Sequence, residues 1–170
     1  QGELVPPSLF IPLAEETGLI DRLSWIVLEQ VCRLLSSDQV PQFQSVSINF
    51  STQQFMSEEI IERITGCLNR YRLSPGRLKL EITERVLSED MARMRTMMER
   101  LTALGLQFYL DDFGTGYSNL AGVLELPFAC VKLDHSLISG YPDDERTSAM
   151  VDTMLDLFHA MDCQVVAEGV

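Results

Sequence analysis

The chain alternates between strand-like and helix-like segments five times. The strand-like runs are short and apolar, and the segments between them repeat their apolar residues every three or four positions. Parallel strands need a long crossover connection, which a helix usually supplies, and no hairpin signal joins one strand to the next. The pattern therefore predicts a parallel sheet of βα units. The five strands are predicted at residues 45–50, 77–84, 106–110, 129–134 and 164–168.

The longer helices are predicted from the spacing of their apolar residues. Ser57 is the predicted cap of the second helix, and Gly105 is predicted to end the third. Residues 2–12 carry three prolines and are predicted to be irregular. The helices themselves are predicted at residues 20–35, from 57 onward, at 91–104, at 118–124 and from 142 onward.

Composition narrows the classes of function. A chain of 170 residues with 46% hydrophobic content fits one globular domain. Its net charge of −12, with no basic stripe, argues against DNA or RNA polymers as partners. No Cys-x-x-Cys pair occurs, so we interpret the cysteines as reduced core residues of a cytoplasmic protein. The residues concerned are Cys32, Cys67, Cys130 and Cys163, and neither His135 nor His159 has a partner at zinc-ligand spacing.

Every predicted strand ends in a side chain that can bind a metal or a charge. An open doubly wound sheet would scatter these groups along one edge, whereas a closed parallel barrel would gather them at one mouth. Taken singly, each is commonly just the solvated start of a loop, but all five strands show one in phase. We therefore favour a barrel. The groups are Asn49, Glu81, Asp111 with Asp112, Lys132 with Asp134, and Glu168.

Asp111 and Asp112 lie side by side where a strand is predicted to give way to a glycine-containing loop. Taken alone, this pair fits a divalent metal site and a strand-ending Asx turn about equally well. The polar ends of the other strands favour the metal. Clustered carboxylates and an amide suit Mg²⁺ or Mn²⁺, and a lysine among them would orient water or offset negative charge. The residues thus predict metal-assisted phosphoester hydrolysis.

Five ordered motifs resemble those of the EAL-domain family, the bacterial cyclic-di-GMP phosphodiesterases. The resemblance runs from about residue 5 to residue 170, so residues 1–170 are interpreted as one partial EAL-type domain. It implies an α/β fold of the TIM-like (β/α) barrel type. The motifs lie at residues 46–51 (Val-Ser-Ile-Asn-Phe-Ser), 80–84 (Leu-Glu-Ile-Thr-Glu), 111–116 (Asp-Asp-Phe-Gly-Thr-Gly), 131–134 (Val-Lys-Leu-Asp) and 167–170 (Ala-Glu-Gly-Val).

The resemblance also implies roles for these residues around two Mg²⁺ or Mn²⁺ ions. Asn49, Glu81 and Asp111 would bind one ion. Asp111 would bridge to the second, which Asp112 and Glu168 would hold. As catalytic residues, Lys132 would position the attacking water and Glu168 would act as its base. Glu84 would brace the loop from Gly114 to Ser118, which in this family touches the dimer interface and couples it to the site. The substrate and loop group comprises Glu84, Gly114, Thr115, Gly116, Tyr117, Ser118 and Asp134.

Two segments of the family pattern are absent from residues 1–170. The Glu-Ala-Leu strand that names the family would precede Gln1, and the glutamine-bearing strand would follow Val170. The expected barrel therefore lacks its first strand and its C-terminal units, and it cannot close. Either the protein is longer or the site is broken, and we favour the first. Arg85 and His135 also depart from the usual family residues, and neither replaces a ligand.

The resemblance implies a phosphodiesterase that linearises cyclic di-GMP to pGpG in bacterial second-messenger signalling, provided that the Glu-Ala-Leu strand is present. The alternative is a catalytically inactive EAL-type receptor that binds the dinucleotide without cutting it. A protein-interaction scaffold without ligand binding is the least favoured, because the metal set is preserved. The expected partners are cyclic di-GMP, a second copy in a homodimer, and fused sensor or GGDEF-type domains. The expected location is cytoplasmic, including the cytoplasmic part of a membrane-anchored protein.

Overall fold

A computed structural model describes residues 5–37, 41, 44–84, 90–115 and 120–169. Within them the chain forms an α/β fold with one parallel sheet, as the sequence pattern predicts. The strand order in the sheet is the order in the sequence, which is the arrangement of a (β/α) barrel. The strands are β1 (Val46–Asn49), β2 (Leu78–Thr83), β3 (Gln107–Phe113), β4 (Phe128–Leu133) and β5 (Gln164–Ala167).

Helices connect the strands and cover one face of the sheet. A short 3₁₀ turn, Pro75–Arg77, leads into β2. No described helix is long and apolar enough to cross a membrane. The helices are α1 (Pro7–Glu16), α2 (Ile20–Leu35), α3 (Thr52–Phe55), α4 (Glu59–Tyr71), α5 (Met91–Ala103), α6 (Leu120–Leu124), α7 (His135–Ile138) and α8 (Glu145–Ala160).

Alternation along the strands separates a core face from a polar face. In β2, Leu78, Leu80 and Ile82 are fully buried, and they alternate with Lys79, Glu81 and Thr83. Strand pairing places Asn49 beside Glu81, and Glu81 beside Tyr109. These side chains of neighbouring strands therefore lie together on the face opposite the core.

Aromatic side chains fill the core between the sheet and the helices. Phe55 meets Phe108 edge to face with ring centroids 5.4 Å apart, and Phe113 meets Phe158 in the same way at 5.5 Å. All four rings are fully buried. These contacts fix the helices α3 and α8 against strand β3, which carries the aspartate pair.

The structure corrects three details of the sequence analysis. The segment expected to be irregular contains the first part of α1. Pro7 occupies the first turn of the helix, where its missing N–H costs nothing, and Pro12 is accommodated inside the helix. Helix α4 begins at Glu59, and the Ser57 hydroxyl accepts a hydrogen bond from the Glu59 N–H at 3.3 Å. Strand β3 continues through both aspartates to Phe113 instead of ending before them.

The sheet is open within the described residues. Strands β1 and β5 each pair with a neighbour on one side only, so no closed barrel forms there. The carboxyl ends of all five strands still lie along the same edge, since every pairing is parallel. That edge carries the candidate site.

Candidate metal and catalytic site

Lys132 lies at the centre of the site, on strand β4. Its neighbours in the strand, Val131 and Leu133, point into the core, so the lysine projects from the polar face. The ammonium nitrogen forms three ion pairs, which join strands β2, β3 and β4 to the residue that follows β5. The Nζ distances are 3.0 Å to Glu81 Oε1, 3.0 Å to Asp111 Oδ1 and 2.8 Å to Glu168 Oε1.

These ion pairs keep Lys132 charged. Only 18% of its side chain is exposed, and burial by itself lowers the pKa of an amine. Hydrogen bonds to Glu168, Glu81 and Asp111 outweigh that effect and raise the pKa of Lys132 above its ordinary value. The ammonium is therefore a fixed positive charge and not a proton acceptor at neutral pH.

Glu81 links this lysine to strand β1. Asn49 and Glu81 are register partners, and Asn49 Nδ2 donates to Glu81 Oε2 at 3.3 Å. The backbone continues the ladder beyond the strand, because the Phe50 N–H donates to the Glu81 carbonyl at 3.1 Å. One carboxylate thus receives the amide of β1 on one oxygen and the ammonium of β4 on the other.

A β-bulge shapes the aspartate pair. Strand β3 has one residue more than β4 between the pairs Leu110–Val131 and Phe113–Leu133. Asp112 has φ of 55°, a left-handed conformation that aspartate tolerates better than most residues. A regular strand would send successive side chains to opposite faces, whereas a bulge turns one of them aside. Asp111 and Asp112 can therefore serve the same site.

Three carboxylates converge here in a way that fits a divalent cation. Asp111, Asp112 and Glu168 each offer one oxygen, and these oxygens all lie within 4.8 Å of one another. Burial and the negative charges of Asp111, Asp134 and Glu168 raise the pKa of Asp112, while Lys132 opposes the shift. A cation would remove this repulsion, and an all-oxygen donor set suits Mg²⁺ or Mn²⁺.

The remaining predicted ligands lie beside that group. Neither Asn49 nor Glu81 is part of it: Glu81 contacts it through the Lys132 ammonium, and Asn49 contacts Glu81. Asp134 has a different task, because its carboxylate caps helix α7 by accepting from the Ser136 N–H at 2.8 Å. Hydrogen bonds from the Ser136 hydroxyl and backbone lower the pKa of Asp134.

Glu84 and the loop after β3 are in contact. Glu84 is buried, and its Oε2 accepts a hydrogen bond from the Gly114 N–H at 3.1 Å. The Thr115 hydroxyl donates to the Asp112 carbonyl at 3.0 Å, which closes the turn on itself. Gly116, Tyr117 and Ser118 lie outside the described residues.

The sequence analysis missed one polar group beside the site. Gln54 is 3% exposed, and its Oε1 accepts a hydrogen bond from the Ser51 N–H at 3.0 Å. The Gln54 N–H lies 3.4 Å from Ser51 Oγ, which completes a reciprocal capping box around the start of α3. The signal was present, since a serine followed three residues later by glutamine is the sequence pattern of that box.

The EAL domain family model matches residues 1–170. Signaling protein YkoW of Bacillus subtilis is 34% identical over 99% of the chain, which spans 21% of that protein. The bifunctional diguanylate cyclase/cyclic di-GMP phosphodiesterase MucR of Pseudomonas aeruginosa is 34% identical over 100% of the chain and 25% of that protein. The chain thus spans about a fifth to a quarter of the length of these relatives.

Solved structures of EAL proteins also match this chain. The PaMucR phosphodiesterase in its c-di-GMP complex matches 100% of this chain and 70% of its own, with a TM-score of 0.88 and 34% identity. The FimX EAL domain from Pseudomonas aeruginosa bound to c-di-GMP has a TM-score of 0.86 at 19% identity, covering 98% of this chain and 67% of its own, and supports the fold alone.

Proposed function

Because this chain belongs to the EAL domain family, we propose that it is part of a metal-dependent phosphodiesterase that hydrolyses cyclic di-GMP to linear pGpG. The observation that carries the proposal is the position of Lys132. Its ammonium lies 2.8–3.0 Å from carboxylates of three different strand ends, beside three converging metal-type ligands.

We assign the metal ligands in two overlapping groups. Asp111, Asp112 and Glu168 would hold one Mg²⁺ or Mn²⁺ ion, and Asn49, Glu81 and Asp111 would hold the other. When bound, such a pair of ions activates water and neutralises charge on a phosphoester. The support is twofold. The donor set consists of oxygens only, and the negative charges that help to raise the pKa of Asp112 would be offset by a bound cation.

Lys132 would orient the attacking water. An ammonium that stays protonated cannot take a proton, but it can donate a hydrogen bond to a water oxygen and hold its lone pair toward phosphorus. Glu168 would accept the proton that this water loses. Its carboxylate lies 2.8 Å from the lysine that would hold the water, and its side chain is 35% exposed, so water can reach it. The same positive charge would stabilise the developing negative charge on the phosphoryl oxygens.

Glu84 would brace the substrate loop. Its hydrogen bond to Gly114 ties the turn that follows the aspartates to the end of β2. Thr115 is the last described residue of that loop, and the family resemblance would bring the loop to the interface of a homodimer; Gly116, Tyr117 and Ser118 follow it in the sequence. Asp134, which caps the next helix, would act on the site through its negative charge.

We also propose that the domain works inside a larger cytoplasmic signalling protein, fused to sensor or GGDEF-type domains. The support comes from relatives that are several times longer than this chain. One of them is named an oxygen sensor protein, DosP of Escherichia coli, and MucR is named as bifunctional.

The decisive experiment measures cyclic di-GMP hydrolysis by the full-length protein, with Mg²⁺, with Mn²⁺ and with a chelator. We expect pGpG to form only when metal is present, and we expect Asp111→Asn to reduce turnover by at least about 10²-fold. Asp152→Asn, at an exposed position of α8, is the matched control and should leave turnover unchanged. Tight binding of cyclic di-GMP with no product would identify the protein as a receptor instead.

A further inference from the structure

A polar network joins the turn after β1 to helix α2. Gln54 Oε1 accepts three hydrogen bonds, from the Ser51 N–H at 3.0 Å, the Ser51 hydroxyl at 3.1 Å and the Ser24 hydroxyl at 3.2 Å. Ser24 belongs to α2, thirty residues away in sequence. A capping box alone needs only the Ser51–Gln54 pair, so the bond from Ser24 is additional.

The network is buried and has a defined orientation. Gln54 is 3% exposed and Ser24 is 7% exposed. The backbone N–H of Ser51 can only donate, which fixes the oxygen of the Gln54 carboxamide toward Ser51 and its nitrogen away from it. Nε2 has no partner among the described residues. The oxygen is therefore the end of the side chain that holds the turn.

A second contact reinforces the same connection. Trp25, the residue after Ser24, packs against Phe50 with ring centroids 5.8 Å apart. Phe50 is 4% exposed and directly follows Asn49. Two adjacent residues of α2 therefore reach this turn: Trp25 contacts Phe50 directly, and Ser24 bonds to Gln54, which in turn bonds to Ser51.

We propose that Gln54 is a positioning residue that sets the placement of the Asn49 carboxamide. Asn49 is exposed, and the side-chain contact seen for it is a long hydrogen bond of 3.3 Å to Glu81. Its own side chain is thus weakly held, and its placement depends on the backbone between β1 and α3. Gln54 fixes that backbone at Ser51, two residues beyond Asn49. This inference rests on the metal-binding role proposed for Asn49.

The test compares Gln54→Met, which removes the acceptor oxygen, with Gln54→Glu, which keeps it. The full chain is used, with Gln30→Met at an exposed position of α2 as the matched control. We expect Gln54→Met to lower kcat for cyclic di-GMP by about tenfold with little change in KM, because a small misplacement near the reacting centre costs rate. Gln54→Glu and the control are expected to keep kcat within about twofold of wild type, since every contact made by the oxygen is retained.

Two further readouts separate positioning from a general loss of structure. In an Asn49→Ala background, Gln54→Met is expected to cause no additional loss, because the residue through which it acts is gone. The side-chain amide resonance of Asn49, identified by its loss in Asn49→Asp, is expected to shift in Gln54→Met and not in Gln30→Met. If Gln54→Met fails to fold, Ser24→Ala, which removes the α2 bond alone, is expected to shift the same resonance while Gln30→Met leaves it unmoved.

The inference is overturned by a folded Gln54→Met variant with wild-type kcat and an unmoved Asn49 resonance. Equal losses in the wild-type and Asn49→Ala backgrounds would also overturn it. If the wild-type protein shows no turnover, the proposed function fails separately. The resonance measurement then still decides whether Gln54 places Asn49.

Discussion

Lys132 Nζ lies 2.8 Å from Glu168 Oε1, the shortest of the three ion pairs of this lysine. Lys132 of β4 is the register partner of Val166 of β5. Glu168 lies two residues after Val166, directly beyond the end of β5. The side-chain period of a strand is two, which puts Glu168 on the same face as Val166. The pair therefore exists because β4 and β5 are parallel and in this register.

Removing this lysine should affect both turnover and stability. We expect Lys132→Met to lower kcat for cyclic di-GMP by about 10²-fold or more, because the positive charge that orients water and offsets charge is lost. The metal-free variant should also melt at a lower temperature, because Glu81, Asp111 and Glu168 are left unpaired.

The matched control is Lys79→Met, which alters the only other lysine of the chain. Lys79 is buried on β2, where it donates to the Gln107 carboxamide and has no ion pair among the described residues. We expect its loss to leave kcat near wild type. Equal losses of activity in the two variants would remove the special role assigned to Lys132.

Asp112→Asn is expected to stabilise the metal-free protein. Burial and neighbouring negative charges raise the pKa of Asp112 in the folded state. A raised pKa means that the contribution of this carboxyl to stability is fully present below its ordinary pKa and is lost as the pH rises through the folded-state value. At neutral pH the charged form is therefore destabilising, and the neutral amide relieves it.

Thermal unfolding with and without Mn²⁺ checks this expectation. In a chelator, Asp112→Asn should melt above wild type, whereas Asp152→Asn, an exposed control, should not change the midpoint. Added Mn²⁺ should raise the midpoint of wild type and have a much smaller effect on Asp112→Asn, because a ligand is gone. A higher midpoint for wild type in chelator would contradict the repulsion argument.

Glu84 should matter through its acceptor oxygen. Glu84→Leu leaves the Gly114 N–H without its partner, and we expect a loss of about 1–3 kcal/mol in the free energy of unfolding. Glu84→Gln keeps an oxygen that can accept that bond and should stay closer to wild type. Denaturant unfolding of the two variants measures the difference.

The same pair of variants tests the loop in catalysis. If Glu84 braces the substrate loop, kcat should fall about 10-fold to 100-fold in Glu84→Leu and less in Glu84→Gln. Activity that is equally poor in both variants would point to a need for the negative charge and away from the brace.

Gly114 is expected to resist substitution. Its φ is 102°, and a Cβ added there would lie 3.1 Å from the Leu137 side chain. We expect Gly114→Ala to lower the free energy of unfolding by about 1–2 kcal/mol, because an L residue is strained in this conformation. Equilibrium unfolding in urea measures it.

Gly66→Ala is the matched control for that substitution. Gly66 lies inside helix α4, and a Cβ there would meet nothing within 4 Å. The helix should therefore gain about 0.5–1 kcal/mol from the lower conformational entropy of alanine in the unfolded chain. Opposite signs at the two glycines are the expected result.

The amino-acid sequence by itself determined the βα order, the strands and the residue types of the site. Apolar runs alternating with helical spacing identify parallel strands because each strand needs a crossover. The polar residues at the ends of the five strands, from Asn49 to Glu168, could be recognised because each one follows an apolar strand of the same repeating pattern. The Ser51–Gln54 capping box was also written in the sequence, although its pattern was overlooked.

Only the tertiary structure decided which of these groups touch. The bulge that brings Asp111 and Asp112 to one site depends on how β3 pairs with β4, which no local pattern specifies. The three ion pairs of Lys132 depend on register between strands that are distant in sequence. The bond from Ser24 to Gln54 likewise exists because helix α2 packs beside the turn after β1. Contacts of this kind join residues that are distant in sequence, so they depend on how the strands and helices pack together and not on any local pattern.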